Sequence, residues 1–434
     1  MKYLKSAVCI LLVCIMLSGC NFRISSSIDD LISPLSPFGD NADIKNALDE
    51  YLKNGYSLKT PGTGKYITSY SFFDLNDDGT DEAIAFYEPS DNLGTINMAV
   101  IGKTDSEWQV LINIKGEGKD ISSLDFIDIN SDSREEIFVC WDAISNSSNH
   151  QLCVYSYSDN KGKVELKKID ESITVNNYIA VDLLNDETPE LLLFEINSGS
   201  SSSAKAELYS LKGNFFRLLG ETRLDSHITS YQNIKIEKAE NDTRVYADAI
   251  GSDGESMLTE IIYWSNGYNT IISPFFSYST GLTSGTSRNS MLQSADVNGD
   301  GLIEVPVDYT VKKLPDEVRA IDWKIYKNTI LIHKNYSLFA KNDRYTVLIP
   351  DDIIKEISVE YNQKTREMTV LNRESKKTVF SVIPVLKGIY SEEDYQGYEV
   401  VLEASGYYYI ARQGDDEEIV ISAEQLKENI KSVS

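Results

Sequence analysis

Four acidic segments of nine residues have the residue types and spacing of a cation-binding loop. Each begins with Asp, has Asp at its fifth position and ends with Glu, and the third copy is the most divergent. Their first residues lie 54, 54 and 114 positions apart, so the last interval is about two periods long. Oxygen-bearing side chains at alternating positions are the ligands that Ca²⁺ prefers. The segments are residues 74–82, 128–136, 182–190 and 296–304, which we name loops 1, 2, 3 and 5.

The ligand positions follow from how such a loop curls around an ion. Side chains at positions one, three and five converge, Gly at position six permits the sharp turn, position seven offers its main-chain carbonyl, and the carboxylate at nine closes the shell. Loops 1 and 5 are complete. Their predicted ligand positions are Asp74, Asn76, Asp78, Thr80 and Glu82, and Asp296, Asn298, Asp300, Leu302 and Glu304.

Loops 2 and 3 depart from this pattern to different degrees. Loop 2 has Ser133 at position six but keeps every ligand position, namely Asp128, Asn130, Asp132, Arg134 and Glu136. In loop 3, Leu184 replaces a ligand and Glu187 replaces the glycine. We therefore predict structural Ca²⁺ in loops 1, 2 and 5 and leave loop 3 outside the predicted site. The alternative for each loop is an acidic turn that closes a hairpin without metal.

Other calcium motifs that begin in the same way do not fit. An EF-hand needs Glu at position twelve. That position holds Ala85, Val139, Leu193 and Val307 in the four copies, and strand-like segments follow where a dockerin module would need a helix.

The surrounding sequence predicts a repeated β unit. Short apolar segments flank loops 1 to 3, and a second hairpin follows each loop. A hairpin in the same phase occurs at residues 234–246, where the turn at 240–243 lacks the ligand pattern. The chain therefore predicts four antiparallel strands in about 54 residues, repeated five times over residues 66–336. We expect a mainly β protein with a β-propeller of about five blades; an open solenoid is the competing arrangement.

The loops between paired strands resemble the FG-GAP or VCBS repeats of integrin-α-like propellers. The resemblance covers the repeated region, residues 66–336, and rests on the DxNxDGxxE pattern, with Glu at the ninth position and no FG-GAP tripeptide. It implies Ca²⁺ held in the hairpin between the first two strands of a blade.

The N-terminal segment, residues 1–19, predicts a signal peptide. Lys2 and Lys5 precede an apolar stretch at 6–16 that is short for a membrane span. The following Leu17-Ser18-Gly19-Cys20 resembles a bacterial lipobox, which implies a diacylated Cys20 and an anchor on the extracytoplasmic face of the cell membrane. An ordinary secretory signal is the alternative. Residues 20–40 read as a tether and residues 41–65 as a lead-in with a helix, capped by Asp43 and ended by Gly55.

The net charge restricts the kind of binding partner, and the cysteine content leaves two states open for one pair of thiols. The 434 residues include 41 basic and 67 acidic side chains, for a net charge of −26, which argues against a nucleic-acid partner. Cys140 and Cys153 lie on consecutive strand-like segments, so a cross-strand disulfide and two buried core thiols are both open.

The C-terminal part and the function are less constrained. Residues 337–434 lose the period and predict a small α+β domain whose closing helix begins at Ser422, with Gln425 completing a capping box. No catalytic motif occurs, and the three histidines lack metal-ligand spacing. We favour a lipid-anchored module that binds a protein or a glycan. A polysaccharide-acting enzyme with its site on the propeller loops is the alternative.

Overall fold

The computed structural model describes residues 39–144, 149–160, 163–196, 204–239, 242–404 and 406–433. The predicted signal peptide, Cys20 and nearly all of the predicted tether lie outside these ranges. Within the described residues, no helix is long and apolar enough to cross a membrane.

The chain is mainly β, as predicted. In chain order, its elements are α1 (Asp40–Tyr51), β1 (Tyr56–Lys59), β2 (Ser71–Phe73), β3 (Glu82–Pro89), β4 (Asn97–Thr104), β5 (Glu107–Lys115), β6 (Asp120–Ile127), β7 (Glu136–Asp142), β8 (His150–Asn160), β9 (Lys163–Val175), β10 (Asn177–Val181), β11 (Glu190–Glu195), β12 (Lys205–Lys212), β13 (Phe215–Arg223), β14 (Ile228–Ala239), β15 (Asp242–Gly251), β16 (Met257–Ser265), β17 (Thr270–Ile272), β18 (Phe276–Ser277), β19 (Leu282–Thr283), β20 (Glu304–Tyr309), β21 (Val318–Lys327), β22 (Ile330–Ala340), β23 (Tyr345–Ile349), β24 (Ile357–Asn362), β25 (Glu367–Asn372), β26 (Thr378–Leu386), β27 (Glu399–Ala404), β28 (Tyr407–Gln413), α2 (Ala423–Asn429) and β29 (Ile430–Ser432).

In the described ranges, these strands form six antiparallel sheets and one small hairpin. Sheet 1 contains β1 to β5, sheet 2 contains β6 to β9, sheet 3 contains β10 to β13, and sheet 4 contains β14 to β17. Sheet 5 has the order β20-β21-β22-β23-β29, and sheet 6 has the order β24-β25-β26-β28-β27. The predicted four-stranded antiparallel unit is therefore confirmed in sheets 2, 3 and 4, and sheet 1 contains it with β1 as an added strand. In sheet 5 the predicted strand before the acidic loop is only a single bridge, β20 to β22 match the other three predicted strands, and β23 and β29 come from beyond the predicted repeat.

The sheets pack face to face in chain order. Alternate residues of the central strands enter different hydrophobic clusters: Trp141 faces sheet 1, whereas Phe138 faces sheet 3. This explains why these strands read as continuous apolar runs. Each interface contains an aromatic pair with ring centroids 4.9 to 5.9 Å apart. In order along the chain, the pairs are Phe86–Trp141, Phe138–Tyr178, Phe194–Tyr231, Tyr263–Tyr326 and Tyr345–Tyr409.

The two ends of this stack are covered by different elements. Ile44 and Leu48 of α1 pack on the outer face of sheet 1, in a cluster with Tyr87 and Trp108. At the other end, tyrosines from the segment after β26 cover the outer face of sheet 6. A closed ring would instead place these two faces against each other. Among the described residues, no hydrophobic cluster joins sheet 1 to sheet 5 or 6.

A buried polar network joins sheet 4 to residues 286–294, the segment that leads to loop 5. Arg288 and Asp248 form an ion pair of 2.8 Å in which both side chains are fully buried. Thr259 and Ser294 also donate their hydroxyls to Asp248, at 2.7 and 2.8 Å. Because a buried charge needs compensating partners, this network holds residues 286–294 against sheet 4 where the strand before loop 5 is reduced to a single bridge, Ala295 to Glu304.

Several predicted boundaries differ from the structure. Helix α1 begins at Asp40 with Gly39 as its N-cap, so Asp43 lies in the first turn and is not the cap. The predicted domain boundary at 336/337 falls inside β22, and β29 returns to pair with β23 of sheet 5. The helix α2 does begin after Ser422 with the predicted capping box to Gln425.

The cross-strand disulfide that the sequence left open is not formed. Cys140 and Cys153 are both free and buried. The register pairs Val139 with Cys153 and Cys140 with Leu152, so the two thiols are offset by one residue. Since successive side chains point to opposite faces of a sheet, Cys153 faces sheet 1 and Cys140 faces sheet 3.

Candidate functional site: the acidic loops

All four loops have the same backbone conformation. At position four, φ is 59° in Asp77, 56° in Ser131, 56° in Asn185 and 81° in Gly299. At position six, φ is 84° in Gly79, 69° in Ser133, 70° in Glu187 and 86° in Gly301. These are left-handed conformations, which favour glycine. The turn for which the sequence pattern favours glycine at position six is therefore also made in loops 2 and 3, which have Ser133 and Glu187 there.

The first aspartate organises each loop by accepting main-chain amides. In loop 1, Asp74 accepts from the amides of Asp78 at 3.2 Å and Gly79 at 2.9 Å. The carboxylate of Asp78 in turn accepts from the amide of Thr80 at 2.8 Å. Loops 2, 3 and 5 repeat the same three bonds with Asp128, Asp182 and Asp296 in the first position.

The carboxylate of the glutamate at position nine accepts hydrogen bonds from the start of the loop. In every copy one of its oxygens accepts the main-chain amide of position two, as in Leu75 to Glu82 at 2.9 Å. In loops 1, 2 and 5 the other oxygen accepts from the Asn side chain at position three. Glu82, Glu136, Glu190 and Glu304 are all buried, with exposures of 0 to 4%. Burial, reinforced by the neighbouring aspartates, raises the pKa of each to about 7.

The carboxylates converge most closely in loops 3 and 5. Within the part of the chain that the structure describes, only these two loops bring three carboxylate oxygens within 4.8 Å of one another. Loop 3 contributes Asp182, Asp186 and Glu190, which the sequence prediction left out. Their spacing at positions one, five and nine was the signal that could have identified them, because those three positions carry the charge in every copy.

In loop 5, a loop aspartate forms an ion pair with a lysine from another strand. The ammonium group of Lys334, on β22, lies 2.8 Å from Asp300. Partial burial raises the pKa of Asp300, but the bond to Lys334 outweighs it with the help of the loop amide, and the pKa is lowered. Lys334 thus pairs with one of the carboxylates that a metal ion would need. The sequence did not show this contact because the two partners lie far apart along the chain.

The donor set fits Ca²⁺. Each loop offers carboxylate oxygens, loops 1, 2 and 5 add an amide oxygen from Asn76, Asn130 and Asn298, and no sulfur or imidazole belongs to the set. Three clustered carboxylates repel one another, and calcium would supply the positive charge that offsets this. At position seven, Thr80, Arg134 and Leu302 would each offer the main-chain carbonyl.

The loops lie along one end of the stack and touch their neighbours. Ser131 of loop 2 donates to the carbonyl of Glu187 in loop 3 at 3.2 Å. Thr243, at the turn of sheet 4, donates to Asn185 of loop 3 at 2.7 Å. The sheet 4 hairpin without ligands therefore still contacts the acidic loop beside it.

A polar cavity of about 620 Å³ lies at the opposite end of sheets 1 and 2. His150 lies on its wall, and its Nδ1 contacts the carboxylate of Asp142. The other two histidines also have aspartate partners: His227 lies 3.4 Å from Asp225, and His333 lies 2.5 Å from Asp322. The structure thus places the histidines apart, as their spacing indicated.

Comparisons with known proteins add little to this geometry. No family model matches the chain, and no curated protein matches it. Among solved structures, Drosophila Plexin A in complex with Semaphorin 1b is similar over 76% of this chain and 75% of that chain, with 8% identity and a TM-score of 0.32. Kluyveromyces lactis Hsv2 is similar over 82% of this chain and 89% of that chain, with 10% identity and a TM-score of 0.26. Likeness at these scores carries no conclusion about function.

Proposed function

We propose that the chain is a membrane-anchored, extracytoplasmic lipoprotein whose calcium-stabilised sheets form a binding module for a protein or a glycan. Sheets 1 to 5 are, in this proposal, propeller-type blades, and the acidic loops are their structural cation sites. The observation that carries it is the repeated geometry of the loops: four copies with one backbone conformation and the same amide bonds to the first aspartate.

The role of the loops is structural. Loops 2 and 3 connect the first two strands of their sheets, and loop 1 connects β2 and β3 of sheet 1. Before loop 5 the corresponding strand is a single bridge. A ligand that binds the folded chain and not the unfolded chain stabilises by mass action, about 2.7 kcal/mol at a concentration one hundred times the dissociation constant. Calcium in these loops would therefore raise the stability of whole sheets without taking part in a reaction.

Melting experiments on the chain from residue 21 onward test the calcium part. We expect the midpoint of thermal unfolding to rise by several degrees when calcium replaces a chelator. Magnesium at the same concentration offers a control, because it prefers a smaller octahedral shell. An unchanged midpoint would overturn the calcium assignment.

The anchor and the ligand need separate tests. The lipobox resemblance predicts that the full chain fractionates with membranes and that Cys20→Ser releases it.

For the ligand, a glycan array on the soluble chain should be paired with analysis of the products. Binding without cleavage supports a module, whereas shortened oligosaccharides would establish an enzyme instead.

A further inference from the structure

A second cavity, of about 480 Å³, lies where sheet 5 meets sheet 6, away from the acidic loops. It is bounded by the β22–β23 turn, the end of the β24–β25 turn, the start of β28 and the end of β29. Its lining residues are Asn342, Asp343, Arg344, Arg366, Tyr407, Tyr409, Ser432 and Val433. Its volume is that of a small-ligand site.

Arg366 is held rigidly on one wall of this cavity. Its Nε donates to Asp343 at 2.6 Å, and a second guanidinium nitrogen also contacts that carboxylate. The Asp343 side chain is fully buried and accepts a further bond from the hydroxyl of Tyr361 at 2.7 Å. The guanidinium carbon lies 5.1 Å from the ring centroid of Tyr407. One negative charge therefore already balances Arg366.

Arg344 has no such balance. Among the described residues, no carboxylate lies within ion-pair distance of its guanidinium, which instead lies 5.5 Å from the ring of Phe339. Partial burial alone lowers its pKa. With Arg366 neutralised by Asp343, the cavity carries an excess positive charge, in a chain whose net charge is −26.

Both arginines adopt a backbone conformation that favours glycine. The φ angle is 51° in Arg344 and 61° in Arg366. Each residue lies at the end of a hairpin turn, immediately before β23 and β25 respectively. For a residue with a Cβ, this conformation costs about 1–2 kcal/mol. Other hairpin turns of the described chain, such as those with Asn328 and Lys376, adopt the same conformation. What these two turns add is that both place an arginine in the lining of one cavity.

We propose that this cavity binds a carboxylate-bearing sugar residue, such as a uronic acid unit of a glycan, with Arg344 as its main anion-binding side chain. Guanidinium groups pair with carboxylates through two parallel hydrogen bonds. The tyrosine rings supply flat apolar surface for a sugar ring, while Asn342 and Ser432 supply polar groups. An acidic peptide would be expected to use a sheet edge or a long groove, whereas this cavity is compact. The inference rests on the proposed function and deepens it by naming the ligand class.

The test uses the soluble chain in calcium and the variant Arg344→Gly. Glycine relieves the left-handed strain, so this variant should melt at the same temperature as the parent or slightly higher. We expect an oligogalacturonate to bind the parent and to bind Arg344→Gly at least about tenfold more weakly, as loss of a charge-assisted pair predicts. Arg344→Lys should bind with intermediate affinity, because it keeps the charge but loses the fork. Arg217→Ala, an exposed arginine on β13, is the matched control and should bind like the parent.

Each outcome decides the proposal. Equal binding of a neutral galacto-oligosaccharide, equal binding of an acidic peptide, unchanged affinity in Arg344→Gly, or no oligogalacturonate binding by the parent would overturn it. The calcium-dependent melting of the same samples reports separately on the proposed scaffold. A positive calcium shift with no oligogalacturonate binding would therefore remove this inference and leave the proposed function in place.

Discussion

The carboxylate of Glu237, on β14, accepts the main-chain amide of Ile303 in loop 5 at 2.7 Å. Arg244 donates to the same carboxylate at 2.8 Å, and the Glu237 side chain is only 2% exposed. Sheet 4 is the repeat whose own hairpin has lost the ligand pattern. It retains a contact that positions the acidic loop of the next sheet, so the neighbouring repeats remain coupled.

Replacement of Glu237 should destabilise the chain and weaken loop 5 together. Glu237→Ala leaves the Ile303 amide without its acceptor and removes one acceptor of the Arg244 guanidinium, which keeps its bonds to Asp242. We expect the free energy of unfolding in urea to fall by about 2–4 kcal/mol and the calcium affinity of loop 5 to fall with it. Glu237→Gln keeps an oxygen acceptor, so it should lose less stability and less calcium affinity than the alanine variant. Equal stability of the parent and the alanine variant would contradict this role.

Loop 3 should bind calcium, although its sequence is the most divergent. Its three carboxylates lie within 4.8 Å of one another and its backbone matches that of loop 1. Titration calorimetry of the chelator-treated chain should therefore give four sites rather than the three that the sequence favours. Asp186→Asn should remove one site, and Glu187→Gln, at a position that supplies no ligand, should leave the number unchanged. Four sites in both variants would refute the assignment.

Lys334 should weaken calcium binding in loop 5. Its ammonium group lies 2.8 Å from Asp300 and must be displaced or repelled by an incoming cation. The Lys334 side chain is about one third exposed, so its effect is screened by solvent. We expect Lys334→Met to make the free energy of calcium binding to loop 5 more favourable by about 0.5–1 kcal/mol, which is roughly a two- to fivefold higher affinity. Lys327→Met removes the same charge from the exposed end of β21 and should have little effect. A weaker affinity in Lys334→Met would show that the lysine supports the site.

Local patterns were sufficient to predict most of the elements. The loop ligands recur with the strands that they join, and the β alternation and the Ser422–Gln425 cap are set by residues close in sequence. The turn of loop 3 was not predictable from its sequence, because it depends on an amide bond to Asp182 that holds Glu187 in a left-handed conformation without glycine.

Features that depend on distant partners could not be predicted in the same way. The one-residue offset between Cys140 and Cys153 is a matter of register, which the two separate segments do not specify. The return of β29 to sheet 5 pairs Val347 with Ile430, across the whole of sheet 6 in the sequence. The Arg344 cavity likewise combines turns and strand ends from sheets 5 and 6.

His333 joins sheet 5 to the segment that leads to sheet 6. Its Nδ1 lies 2.5 Å from Asp322, and its Nε2 lies 3.1 Å from Asp351. Partial burial opposes the charged form, but the two aspartates outweigh this and raise the pKa of His333 above 6.5. A group whose pKa is raised by folding stabilises the folded chain below its unfolded pKa, and that contribution is lost as the pH rises through the folded pKa.

The parent should therefore lose stability relative to His333→Gln as the pH rises from about 6 to above the raised pKa of His333. Since the ion pairs are partly exposed, we expect a difference of about 0.5–1 kcal/mol in the free energy of unfolding. Urea unfolding in saturating calcium measures it, because the parent and the variant share the loop glutamates and their titration cancels in the difference. His227→Gln replaces a histidine that is more than half exposed and should follow the parent. A constant difference between the parent and His333→Gln across this range would show that folding does not raise the pKa of His333.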